Sequence, residues 1–106
     1  MNTRETILQR VARGEAHAVD ELLERYGGLV YALARRFSFE PGEIDDAVQD
    51  VFVPLWQSAG RYDENIAGEE TFVAMVTRRR LIDRRRRAQR RSAHHTEADV
   101  SGMAGD

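Results

Sequence analysis

The chain has no cysteine among its 106 residues. Disulfide staples and thiolate metal sites are thereby excluded, and a reducing compartment fits. Lysine is absent too, so all 16 basic side chains are arginines. Proline occurs only at Pro41 and Pro54, which leaves long stretches open to helix. There is no apolar run long enough to span a bilayer and no charged-then-apolar leader, so the expectation is a soluble, cytoplasmic protein without membrane contact. The apolar fraction, 42%, is low for a globular chain and the charged fraction, 32%, is high. At this length there is room for one small domain.

Charge is plentiful but unevenly spread. Residues 1–77 hold 7 arginines against 14 acids, residues 78–91 hold 9 arginines with Asp83 as the only acid, and residues 92–106 add three more acids. The near-neutral total of −2 therefore hides an acidic body carrying one guanidinium-rich segment, RRRLIDRRRRAQRR. Planar, forked donors suit phosphates and guanine edges, so the segment reads as a nucleic-acid contact. The alternative is a solvated basic tail or a localisation-type patch.

Apolar residues recur at helical spacing throughout, and no stretch alternates at strand period. The spacing predicts a short first helix from Thr3, its cap, to about Arg13, with Ile7, Leu8 and Val11 inward and Gly14 ending it. A second helix carries the stripe Val19, Leu22, Leu23, Tyr26, Val30, Leu33 and Phe37, which keeps its phase across Gly27-Gly28. Ser38 to Gly42, with Pro41 as breaker, reads as a turn. The third helix, from near Gly42 to about Ala59, turns Ile44, Ala47, Val48, Val51, Phe52 and Leu55 to one side. Its opposite side holds Asp46, Gln49, Asp50, Val53 and Gln57, with Trp56 at the edge. Apolar groups rimmed by polar ones in this way mark a contact surface. Pro54 removes one backbone donor and should bend this helix or loosen a turn. Residues 60–70 read as an acidic loop. A last helix from near Glu70 or Thr71 places Phe72, Val73, Met75, Val76, Arg79, Ile82 and Asp83 on one side, with Asp83 pairing to Arg79 or Arg87 at four-residue spacing. From Ser92 onward the small, polar composition reads as a disordered tail or the start of a linker, His94 and His95 included.

Little points to catalysis. The acids of IDDAVQD lack an accompanying histidine, nucleophile or glycine-rich phosphate loop, and Asp45, Asp46 and Asp50 would hold a cation only with ligands from elsewhere. No enzyme activity, cofactor or metal is expected.

The stretch IDDAVQDVFVPLW resembles the D-A-x-Q-[DE]-x-F-x-x-[LF]-W signature of bacterial extracytoplasmic-function (ECF) sigma factors. LLERYGGLVYALARRF precedes it and FVAMVTRRRLIDRRRR follows it, in the order found in sigma region 2. The likeness covers about residues 17–91. It implies an all-α, compact bundle of three to four helices over residues 1–91, with the last helix extended and arginine-rich. No second helical domain follows, so the expectation is either an excised domain, with residues 92–106 the start of its linker, or a single-domain variant, the excised domain being favoured. The implied function is docking on the RNA polymerase core, at the beta-prime clamp helices, with recognition and melting of the minus-ten promoter element. Asp46, Gln49, Asp50, Phe52 and Trp56 match the docking positions, and Val53 joins them on the exposed face. Tyr62, Asp63, Glu64 and Asn65 match the loop that captures a flipped base of promoter DNA, mainly single-stranded. Arg78, Arg79, Arg80, Arg84, Arg85 and Arg87 match the DNA-contacting helix. An anti-sigma factor covering these surfaces is a further implied partner. Two departures concern the loop: Phe72 stands where the family often has tryptophan, and Gly68-Glu69 where it has serine or glycine before phenylalanine. A sequence-indifferent nucleic-acid binder and a protein–protein adaptor remain as alternatives. On the docking reading, charge reversal at Asp50 is expected to abolish polymerase binding with the fold intact.

Overall fold

The computed structural model describes residues 5–37 and 40–104, with side chains through Arg91. Four α-helices and no strand occur among the described residues: α1 (Ile7–Ala12), α2 (Ala16–Arg36), α3 (Pro41–Ser58) and α4 (Glu69–Ala104), with a 3-10 turn at Ala59–Arg61 after α3. The all-α expectation holds, and α2, α3 and α4 pack against one another with α1 closing one end.

Local chemistry sets the ends of α1. The expected cap, Thr3, lies outside the described residues, and the helix begins later. Thr6 Oγ1 accepts from the Gln9 N–H at 3.2 Å while Gln9 Oε1 accepts from the Thr6 N–H at 2.9 Å, a reciprocal capping box. At the other end, Gly14 takes φ +85°. Its N–H donates to Val11 O and that of Glu15 to Arg10 O, which completes a Schellman motif only a residue without Cβ enters freely.

α2 runs unbroken through Gly27-Gly28 and buries Ala18, Leu22, Tyr26, Val30, Leu33 and Ala34. Leu23, expected inward, is 43% exposed, and the buried side of α2 includes Ala18 and Ala34 instead. Of the expected turn before α3, Ser38 lies outside the described residues. Pro41 does not break the chain there but opens α3 at its first turn, where its missing N–H costs nothing. α3 buries Ala47, Val51 and Leu55, with Ile44, Val48 and Phe52 packed partly against the core. Pro54 sits inside α3 without ending it; the donor it removes is the one that would reach the Asp50 carbonyl four residues back.

The largest difference concerns α4. Its buried residues are Val73, Thr77 and Leu81, spaced by four, and Arg80 and Arg84 flank them half-buried. Met75, Arg79 and Asp83, expected inward, are exposed, whereas Val73 is buried and Phe72 and Val76 pack partly against the core as expected, so the inner side is rotated from the expected one toward Thr77 and Leu81. Apolar residues occur on both sides of this helix, so its period alone does not phase it; packing of Leu81 and an ion pair described below decide the rotation. Thr77 Oγ1 is fully buried with no hydrogen-bond partner. The helical backbone continues to Ala104, across residues whose composition reads as tail or linker. The side chains of His94 and His95 lie outside the described set.

Candidate docking face and nucleic-acid interface

On α3 the outward positions fall at spacings of three and four. Asp46, Gln49, Val53 and Trp56 form one exposed stripe, with Val53 53% and Trp56 58% exposed. Phe52 is half-buried beneath it, packed against the core. Two large apolar side chains left in water beside an acid and an amide cost solvation unless another surface covers them.

Asp50 stands at the inner edge of that stripe and is turned the other way. Arg80 donates to it from Nε at 3.0 Å and from Nη2 at 2.8 Å, a two-point fork. Arg84 Nη1 donates at 3.5 Å and Arg87 Nη2 lies at 4.0 Å. The hydrogen bonds from Arg80 hold the Asp50 carboxyl below the usual range, against an opposing effect of burial. Asp50 thus joins α3 to α4, and the expectation that its charge reversal leaves the fold intact fails on this geometry: an arginine there would face three guanidiniums. The expected pairing of Asp83 does not form among the described residues; Arg87 Nε donates instead to the Asp83 main-chain O at 3.5 Å.

The remaining arginines of α4 differ in their surroundings. Arg85 lies over the Phe37 ring, 4.7 Å from its centroid, a cation–π contact between α4 and the end of α2. Arg78, Arg79 and Arg86 are exposed and line a shallow groove along the outer side of α4 together with Met75 and Ile82.

The loop before α4 is ordered by its own chain. Asp63 Oδ1 accepts from the Asn65 N–H at 2.9 Å and Asp63 O accepts from Ile66 and Ala67, an Asx turn that fixes the tip. Glu64 and Asn65 are exposed there, and so is Ile66 at 83%, which the sequence reading passed over. Tyr62 is half-buried, edge-on to Phe72 with centroids 5.2 Å apart. Burial, then the nearby Glu69 charge, pushes its hydroxyl pKa up. Glu69 is the residue most thoroughly missed. Its Oε2 accepts from the Leu8 N–H at 2.8 Å and its Oε1 from the Tyr26 hydroxyl at 2.6 Å, tying α1, α2 and the start of α4 together. Nothing in the local pattern distinguishes it from the other loop acids; its departure from the family motif was the one available signal.

Among the described residues no cluster of three or more acids, histidines or cysteines could hold a metal ion, and no helix is long and apolar enough to cross a membrane. The chain is an all-helical bundle with an exposed acidic and apolar stripe on α3 beside an arginine-rich helix. The Sigma-70 region 2 family model matches residues 22–91, and the chain belongs to that family. An ECF RNA polymerase sigma factor SigK from Mycobacterium sp. (strain KMS) is 28% identical over 99 residues, covering 91% of this chain and 51% of the relative. The SigK of Mycolicibacterium vanbaalenii is 27% identical over 92 residues, covering 87% and 47%. An RNA polymerase sigma factor NccH from Alcaligenes xylosoxydans xylosoxydans is 31% identical over 61 residues, covering 58% and 33%. The chain thus spans about half the length of the SigK relatives it matches. No solved structure matches it.

Proposed function

We propose that this chain is a transcription-initiation module that bridges the RNA polymerase core and the minus-ten promoter element. The observation that carries the reading is the exposed stripe Asp46, Gln49, Val53 and Trp56, a docking surface with an apolar centre and polar rim, in a chain that also bears a row of exposed arginines. The stripe would dock on the beta-prime clamp helices, with Trp56 as the buried anchor and Asp46 facing a basic partner surface. Asp50 and Phe52 would support that face from beneath. The loop from Tyr62 to Asn65 would receive an extruded base, with the Asx turn holding its polar edges in place. α4 would contact the promoter strand, its phosphate contacts positioning the DNA. An anti-sigma factor would act by covering these same surfaces.

The test is calorimetric titration of the chain with a purified beta-prime clamp-helix fragment. Trp56→Ala should weaken binding by about 30-fold, as expected for an interfacial anchor. Its melting temperature should not change, because Trp56 is not part of the core. No binding by a correctly folded wild-type chain would overturn the docking reading and leave a general nucleic-acid binder.

A further inference from the structure

α4 carries its arginines on two sides. At roughly 100° per residue, Arg84 falls beside Thr77 and Leu81, Arg80 and Arg78 lie on either flank of them, and Arg79 and Arg86 fall across the helix. The inner pair has side chains 34% and 25% exposed, and both reach Asp50. The outer three are exposed and form no salt bridge among the described residues. They edge the groove whose floor is Met75 and Ile82. Met75, Arg79 and Arg80 line a pocket of about 190 Å³ between α3 and α4, where Pro54 and Arg61 contribute from the other side.

We propose that Asp50 is a positioning residue that withholds Arg80 and Arg84 from nucleic acid, so that phosphate contacts fall to the outer row of Arg78, Arg79 and Arg86. The inference rests on the nucleic-acid reading above and changes which residues carry it. Arg80 gives Asp50 its Nε and Nη2, one of the paired edges with which a guanidinium grips a phosphate. Turning that edge to DNA would break two charge-assisted hydrogen bonds and leave the Asp50 carboxylate facing a phosphate of the same sign. The outer row carries no such penalty. Its forks stand beside an apolar floor that can take sugar and base faces while the guanidiniums take phosphates. Asp83 also lines this groove. Its carboxylate repels phosphate locally and offers an acceptor to a base amino group, which favours bases over backbone at that point.

The experiment measures binding of the whole chain to a single-stranded oligonucleotide by fluorescence anisotropy across a salt series, with thermal melting in parallel. Arg78→Gln and Arg79→Gln should each make the salt slope shallower by roughly 0.7, one single-strand phosphate contact, at unchanged melting temperature. Arg80→Gln and Arg84→Gln should lower the melting temperature and leave the slope as it is. Asp50→Asn should melt lower yet bind with a steeper slope, because the guanidiniums it holds are released, and simple destabilisation would not steepen it. If Arg80→Gln flattens the slope as much as Arg79→Gln and melts normally, the division of the row is wrong. An unchanged or shallower slope in Asp50→Asn overturns the withholding. A folded wild-type chain that binds no oligonucleotide at any salt overturns the nucleic-acid reading, and the division falls with it.

Discussion

Arg80 grips Asp50 through Nε and Nη2 at 3.0 and 2.8 Å across the joint between α3 and α4, thirty residues apart in sequence. The pair is half-buried, and it fixes the rotation of α4 as well as its position. A helix with arginines on every side acquires an inner face because one acid on its neighbour selects which arginines turn in. The α3 segment bearing Asp50 and the arginine-rich α4 are thereby parts of one structural unit.

Acid should loosen that joint. Arg80 lowers the Asp50 pKa, and Arg10 lowers those of Glu15, to about 2, and Glu21. Groups depressed on folding contribute stability that is complete above their unfolded values, about 4. That stability is lost as pH falls through the folded values. Melting temperature should therefore hold steady from neutral pH down to about 5 and fall below about 4. Asp50→Asn should show a smaller acid-induced drop, from a plateau lowered by about 1–2 kcal/mol, a modest cost because the pair is only partly shielded from water. An equal drop in both chains would remove Asp50 from the account.

A second limit lies at alkaline pH. Tyr26 is buried and donates to Glu69, and burial together with that carboxylate raises the hydroxyl pKa well above its ordinary value. A group raised on folding contributes stability that is complete below its unfolded pKa, about 10, and lost as pH rises through the folded one. Chemical denaturation should show stability declining above about pH 10, and Tyr26→Phe should remove most of that decline.

Glu69→Ala should cost more than a loop acid would. It strands the Leu8 N–H and the Tyr26 hydroxyl together, each worth about 1–3 kcal/mol when left unmet. Amide hydrogen exchange should speed up most in α1, the shortest of the four helices, where Leu8 loses its partner. Uniform loss of protection across all four helices would mean that Glu69 supports the whole bundle instead.

How far the sequence disclosed this structure depended on where each residue's partner lay. α1 was legible because its stop, Gly14, and its apolar residues act within one or two turns, though the cap proved to be Thr6. α2 and α3 were legible because their apolar stripes have one phase, and the exposure of Val53 and Trp56 followed from the same periodicity. α4 was misphased because Met75 and Ile82 drew the expected face to one side of Phe72 and Val76, while the buried face lies on the other side, toward Val73 and Leu81. The deciding contact, with Asp50, comes from another helix. Glu69 failed for the same reason, since its partners are 43 and 61 residues away.

Thr77 provides the last prediction. Its hydroxyl is fully buried where α4 meets the core and has no partner, in a position flanked by Val73 and Leu81. Burying an unmet hydroxyl costs about 1–3 kcal/mol, and valine keeps the branched shape while removing the polar atom. Valine forms helix about as readily as threonine, so no backbone penalty offsets the gain. Thr77→Val should therefore stabilise the chain by about 1 kcal/mol, seen as a rise of roughly 4–8 °C in melting temperature for a domain of this size. Affinity for the clamp-helix fragment should not change, since Thr77 reaches neither the α3 stripe nor the outer arginine row. A loss of stability would instead show that the hydroxyl has a partner in solution, most simply a buried water, and Thr77→Ser would then retain what Thr77→Val loses in hydrogen bonding.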